Sequence, residues 1–215
     1  MIQVKKFIFN PFQVNTYLLW DETRECVIID AGCSGKIEQK ELTGFIEREG
    51  LKPVRLLNTH SHIDHIAGNA FVVEKYNLKL EAHPDGKPFI DHSQETAKTY
   101  DFVNFETVEP ELPIHEGDVI KWGNSELEVV ETPGHADGSV CFINRPQKFV
   151  ISGDVLFYQS IGRTDFPTGD YDLLIDNIFK KLLTLPREYT VYPGHGPETT
   201  IGFEMYANPF LGRLA

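Results

Sequence analysis

An α/β fold of two stacked sheets with helices outside is what this sequence predicts, on three observations. Strand-like runs precede a helix twice along the chain. The apolar run Cys26-Val27-Ile28-Ile29, ending at Asp30-Ala31-Gly32, is echoed by Lys148-Phe149-Val150-Ile151, ending at Ser152-Gly153-Asp154. No low-complexity linker divides the 215 residues. They are therefore expected to form one domain of two similar halves, 1–111 and 112–215.

Residues 4–9 and 14–20 are β-like runs joined by the turn Asn10-Pro11-Phe12-Gln13, and 26–29 is a third. Leu42, Phe45 and Ile46 form the apolar stripe of a helix over 36–49, stopped by Gly50 and Pro53. Val54-Arg55-Leu56-Leu57 then predicts a short buried strand, and Ile66, Ala70, Phe71 and Glu74 follow helical spacing. Residues 78–82 suit another strand. The polar stretch 83–111 carries only a weak helical signal over 94–100. In the second half, 118–121, 126–131 and 139–143 alternate as strands before the run that ends at Ile151. Tyr171, Leu174, Ile175, Ile178 and Leu182 mark one helix, ended by Pro186. A last strand over 190–192 and a closing helix over 198–207 complete the chain.

Composition narrows the function classes. With 41% hydrophobic and 24% charged residues the chain has the make-up of a soluble globular protein. Its formal charge of −12 argues against the basic surface that a nucleic-acid backbone or an anionic membrane requires. The opening Met1-Ile2-Gln3-Val4-Lys5-Lys6 has no apolar leader core, and no apolar run approaches the ~18 residues of a membrane span. Cys26, Cys33 and Cys141 are odd in number and lack CxxC spacing. Cys26 and Cys141 lie in strand-like runs and are expected to be buried and reduced; Cys33, in a loop, is either a reactive or an inert thiol. A cytoplasmic, reducing location is the expectation.

Chemistry concentrates in Asn58-Thr59-His60-Ser61-His62-Ile63-Asp64-His65. His60, His62 and Asp64 recur at spacing two, so in an extended segment they leave one side, and His65 adds another direction. The cluster sits between a strand and a helix, on a loop with rigid elements at both ends. Neutral imidazoles and a carboxylate suit a borderline divalent cation such as zinc. Two more histidines follow strands, in Thr132-Pro133-Gly134-His135 and Tyr192-Pro193-Gly194-His195, and Asp154 also ends one. Strand ends on one sheet edge converge although far apart in sequence, which favours one shared site. His83, His92 and His115 have no such partners and are expected to be surface or internally satisfied residues.

Together, His60-Ser61-His62-Ile63-Asp64-His65, His135, Asp154 and His195 resemble the full ligand set of the metallo-β-lactamase fold. The resemblance implies a four-layer αβ/βα sandwich of two similar halves. It implies a first metal on His60, His62 and His135, a second on Asp64, His65 and His195, and Asp154 bridging. Zinc is the implied metal, with iron or manganese as alternatives. Gly162-Arg163-Thr164-Asp165-Phe166 and Asn15-Thr16-Tyr17-Leu18 are similar to the glyoxalase II-like branch, especially its short single-domain members. Classical members of that branch add a C-terminal helical domain that helps bind glutathione, and these 215 residues do not carry it.

The implied reaction is thioester hydrolysis, with a metal-bridging hydroxide attacking the acyl carbon. Asp64 and Asp154 are the catalytic candidates, and no serine or cysteine nucleophile is needed. The metals outweigh the local carboxylates, so a small anionic thioester is the expected substrate. Arg163 is a candidate anchor for a substrate carboxylate or a structural ion-pair arginine, and Tyr158 a candidate oxyanion donor or a packing residue. Asp30 is a candidate acceptor for a ligand histidine or a turn residue. The rival is a mononuclear Fe(II) persulfide dioxygenase on His60, His135 and Asp154, a two-histidine, one-carboxylate face. A lactonase or other esterase, and a non-catalytic metal-binding module, stand behind these two.

Overall fold

Strand β1 (Gln3–Phe9) turns back on β2 (Val14–Trp20) in unbroken antiparallel register, from Gln3 opposite Trp20 to Phe9 opposite Val14. Asn10 and Gln13, both with positive φ, make the turn. β3 (Glu25–Ile29) pairs antiparallel with β2, and helix α1 (Lys36–Arg48) carries the chain to β4 (Lys52–Leu57), parallel to β3. Two short helices, α2 (Ile63–Ile66) and α3 (Asn69–Tyr76), lead to β5 (Leu80–Ala82). After α4 (Lys87–Asp91) and α5 (Ser93–Thr99), β6 (Leu112–Pro113) completes a six-stranded sheet in the order β1-β2-β3-β4-β5-β6. The computed structural model describes residues 1–212.

A second six-stranded sheet follows. β7 (Val119–Trp122), β8 (Ser125–Glu131), β9 (Val140–Asn144) and β10 (Phe149–Gly153) form an antiparallel meander. A hairpin of β11 (Leu156–Phe157) and β12 (Ser160–Ile161) and helix α6 (Tyr171–Asn177) intervene. β13 (Thr190–Pro193) then lies parallel to β10, and β14 (Thr199–Thr200) and α7 (Ile201–Ala207) close the chain.

Side-chain alternation sorts residues into layers. Tyr17, Leu19, Val27, Ile29 and Leu57 of the first sheet meet Leu127, Val129, Phe142 and Ile151 of the second. The opposite face of the first sheet, with Leu18, Cys26, Ile28 and Leu56, is covered by Leu42 and Ile46 of α1 and Val72 of α3. On the far side, Val130, Cys141, Ile143 and Val191 are covered by Leu174, Ile178 and Ile201. The result is the four-layer αβ/βα sandwich, and it explains why every residue of β2 is buried: both faces of that strand are covered.

The elements differ from expectation where they are short. The helix expected after the ligand cluster breaks into α2 and α3 around Gly68, and Val72 faces the core while Glu74 is exposed. In the stretch 83–111, α4 and α5 are too short for a clear period, and Ile63, Ile66, Ile90, Ala97 and Phe102 make a small cluster of their own. Beyond α6 the expected helix widens into a π turn, where Leu183 N–H donates to the Ile178 carbonyl at 2.8 Å. Cys33 proves fully buried, and burial pushes the Cys26, Cys33 and Cys141 thiols each up to about 12. Cys33 is therefore the inert of its two alternatives. Among the described residues no helix is long and apolar enough to cross a membrane.

Candidate metal centre

One edge of the sandwich collects the ends of five strands. β3 runs out at Asp30, β4 into residues 58–65, β8 towards His135, β10 towards Asp154 and β13 towards His195. Parallel pairing of β3 with β4 and of β10 with β13 sets these ends side by side. All seven predicted ligands meet there. His62 Nδ1 lies 3.1 Å from His60 Nε2 and 3.0 Å from His135 Nε2. Asp64 Oδ2 lies 3.1 Å from His195 Nε2 and 3.6 Å from His65 Nε2. Asp154 sits between the groups: Oδ1 is 3.3 Å from His65 Nε2, and Oδ2 is 3.6 Å from both His135 Nε2 and His195 Nε2.

Hydrogen bonds on the far side of the rings decide which nitrogens face inward. Nδ1–H of His65 donates to Asp30 Oδ2 at 2.9 Å, that of His135 to the Arg163 carbonyl at 2.7 Å, and that of His195 to the Phe12 carbonyl at 3.1 Å. Each imidazole thus turns its Nε2 to the centre, bare whenever the ring is neutral. His60 Nδ1 is 3.1 Å from Thr59 Oγ1, whose own proton goes to Asp30 Oδ2 at 2.7 Å. Asp30, in the left-handed region at φ 54°, also accepts from Thr59 N–H at 2.7 Å. It is both of the things the sequence allowed, a turn residue and the acceptor that orients a ligand histidine.

His65 Nε2 and Asp154 Oδ1 are buried yet have no hydrogen-bond partner. Buried polar atoms almost always have one, and these two face each other at 3.3 Å across the centre. Three imidazoles in one group, Asp64 with two more imidazoles in the other, and Asp154 between them fit a pair of divalent cations. The charges agree. Burial, reinforced by the crowded imidazoles, drives His60 well below the usual histidine range and His62 down to about 3. Burial also works against a charge on His65, but Asp154, Asp64 and Asp30 outweigh it and raise that residue. Burial would raise Asp154, yet His65 holds its carboxyl well below the usual range.

Both Pro-Gly-His turns need their glycine. Gly134 has φ 127°, and a Cβ there would run into the backbone of Leu174 in α6. At Gly194 a Cβ would strike Asp154 Oδ1 and come within 2.9 Å of His65 Cε1. The turns therefore bring backbone against ligands where no side chain fits.

A cleft of about 850 Å³ opens onto the centre, walled by Phe12, Phe89, Tyr100, Phe157, Ile161 and Phe166. Sequence reasoning missed these walls, because loop aromatics in scattered segments carry no pattern. Arg163 reaches the cleft but is committed: Nε and Nη2 donate to Asp165 at 2.7 and 2.6 Å, and its guanidinium lies 3.7 Å from the Phe166 ring centre. The ion pair of its two alternatives is present, and the exposed side chain also lines the cleft. Tyr158 does not line the cleft. The two-residue turn of the β11–β12 hairpin, with Gln159 at φ 54°, turns it outward, where it stacks on Phe203.

The other histidines are placed more quietly. His83, buried, accepts from the Asp85 N–H at Nδ1, so its Nε2–H donates to Glu131 at 2.8 Å. His115 lies beside this pair, and His92 sits on the cleft rim with Nδ1–H on the Pro88 carbonyl.

Comparison with known proteins places this geometry. The hydroxyacylglutathione hydrolase GloC of Haemophilus influenzae is 36% identical over 93% of both chains. Among solved structures, the BLEG-1 B3 metallo-beta-lactamase superposes with a TM-score of 0.88 at 35% identity, over 98% of this chain and 99% of that one. TTHA1623 in a di-iron-bound form gives 0.83 at 34%, over 97% and 100%. ETHE1 from Myxococcus xanthus gives 0.78 at 27%, over 96% and 83%. Residues 9–195, which span every ligand described above, match the metallo-beta-lactamase superfamily, and the chain belongs to that superfamily.

Proposed function

We propose that the protein is a dinuclear metal-dependent hydrolase of small thioesters. One observation carries the reading: seven ligand side chains converge, enough to divide into His60, His62, His135 and Asp64, His65, His195 with Asp154 between. A mononuclear centre on His60, His135 and Asp154 would leave His62, Asp64, His65 and His195 without employment. The likeness to a hydroxyacylglutathione hydrolase supports a thioester, and the likeness to a di-iron-bound protein supports two metals. Zinc suits these nitrogen and oxygen donors, with iron or manganese as alternatives. The free thiols suit a reducing compartment, the cytoplasm.

When bound, the metal pair supplies hydroxide at neutral pH and polarises the acyl carbonyl. The chain's own residues do the rest. Asp64, held between His65 and His195, accepts the hydrogen bond that aims the attacking water. Asp30 and the Phe12 and Arg163 carbonyls lock the imidazoles, so the centre needs no rearrangement as charge develops. The aromatic walls limit water. A thiolate, with a parent pKa of ~8.5, departs without a general acid.

His195→Ala is the deciding variant. Metal content should fall from two towards one per chain, and thioester turnover should drop by more than about 100-fold. In the second reading, a mononuclear Fe(II) dioxygenase, the same variant keeps its single metal. Its oxygen-dependent activity then falls by at most about 100-fold.

A further inference from the structure

We infer that the thioester is uncharged and carries a bulky apolar substituent, so that glutathione thioesters are poor substrates; this rests on the hydrolase reading above. The rings that wall the cleft stand directly against the ligands. Phe89 and Phe166 meet His62 edge-on, with ring centres 4.9 and 5.8 Å apart, and Phe157 lies 6.3 Å from His195. Whatever is bonded to a carbon reacting at the centre therefore meets phenyl rings first. Farther out the wall continues without a break in character. Phe12, in the β1–β2 turn, stacks on Phe102 at 5.8 Å and meets Tyr100 edge-on at 5.3 Å, tying the turn to the segment after α5.

Charge points the same way. Apart from the metal ligands, Arg163 is the one permanently charged side chain among the described residues lining the cleft. Its Nε–H and one Nη2–H are on Asp165, and that pair is neutral as a unit. His92 spends its Nδ1–H on the Pro88 carbonyl. Glutathione brings two carboxylates and an ammonium. Carboxylates set against phenyl rings without a cation are disfavoured, because they give up water and gain no partner. A phenyl or branched alkyl group instead gains the burial, with ring-on-ring contact as a further attraction. The positive character of the centre serves the oxyanion that develops on the reacting carbonyl, rather than a carboxylate elsewhere in the substrate.

The test compares metal-loaded protein on three thioesters: acetyl- and phenylacetyl-N-acetylcysteamine, and S-lactoylglutathione. Alongside, calorimetry measures binding of two unreactive thioethers, S-(2-phenylethyl)-N-acetylcysteamine and S-methylglutathione. The phenylacetyl ester should exceed the acetyl ester in kcat/KM by at least about 10-fold, and lactoylglutathione should be the poorest. The phenylethyl thioether should bind more tightly than the glutathione thioether. Phe89→Asp should weaken phenylethyl binding by about 10-fold or more while metal content stays unchanged. Tighter binding or faster turnover of the glutathione compound overturns the inference, as does a Phe89→Asp variant that binds the phenylethyl thioether normally. If no thioester turns over while the phenylethyl thioether still binds preferentially, the hydrolase reading fails and the apolar cleft stands.

Discussion

Asp30 shows how much of the centre depends on a residue that would touch no metal. Its carboxylate takes the His65 Nδ1–H directly and reaches His60 through the Thr59 hydroxyl, so two ligands, one from each metal's proposed set, share one anchor. Asp30→Asn keeps the shape but offers a weaker acceptor, and metal affinity should fall by about 10–100-fold with the fold retained. Competitive chelator titration reads this. His65 adds a pH dependence. Its carboxylate neighbours raise its pKa in the metal-free protein, so a proton competes with a metal for Nε2. Metal binding should then release protons, and affinity should decline as pH falls through that raised pKa. Calorimetry in buffers of different ionisation heat measures the release. In the sequence, Asp30 was legible only as one of two alternatives, because the contact with His65 spans the β3–β4 pairing.

At the scale of elements, strand ends do the positioning, and their glycines show how tightly. Gly194→Ala puts a methyl group against Asp154 Oδ1 and His65, and should lower metal affinity at least about 10-fold. Gly44→Ala in α1 is the control: a Cβ there meets nothing within 4 Å, so the change should stabilise the fold by about 0.5–1 kcal/mol and leave metal content alone. Metal analysis and thermal melts separate the two. The strands that end at these turns were legible because β2, β3, β9 and β10 are long apolar runs. The segments around α4, α5 and the β11–β12 hairpin were not, since helices of five and seven residues are too short for a helical period and two-residue strands for an alternating one. Those same short elements supply Phe89, Phe157 and Ile161 of the cleft, so the reacting centre was readable and its specificity was not.

For the whole molecule, the first half contributes His60, His62, Asp64 and His65 and the second His135, Asp154 and His195, so the centre exists only at their junction. β2 clamps that junction. Asn15 N–H donates to the Gly194 carbonyl at 2.7 Å, and the Asn15 amide and the Tyr17 hydroxyl donate to the Pro193 carbonyl at 2.8 and 2.7 Å. Thr16 hydrogen-bonds both the Asp30 carbonyl and the Gly32 N–H, which gives Asn15-Thr16-Tyr17-Leu18 a structural meaning its sequence alone could not reveal. Charge counting led to an anionic substrate, whereas the neutral one inferred above is argued from the aromatic walls and the Arg163–Asp165 pair. Whether two metals act together remains the heart of the account. The direct measurement adds zinc or iron(II) stepwise to metal-free protein and follows thioester turnover against equivalents bound. Turnover should rise steeply and level off at two metals per chain. Full turnover at one, or a single metal bound with oxygen consumed and no thioester cleaved, would contradict it.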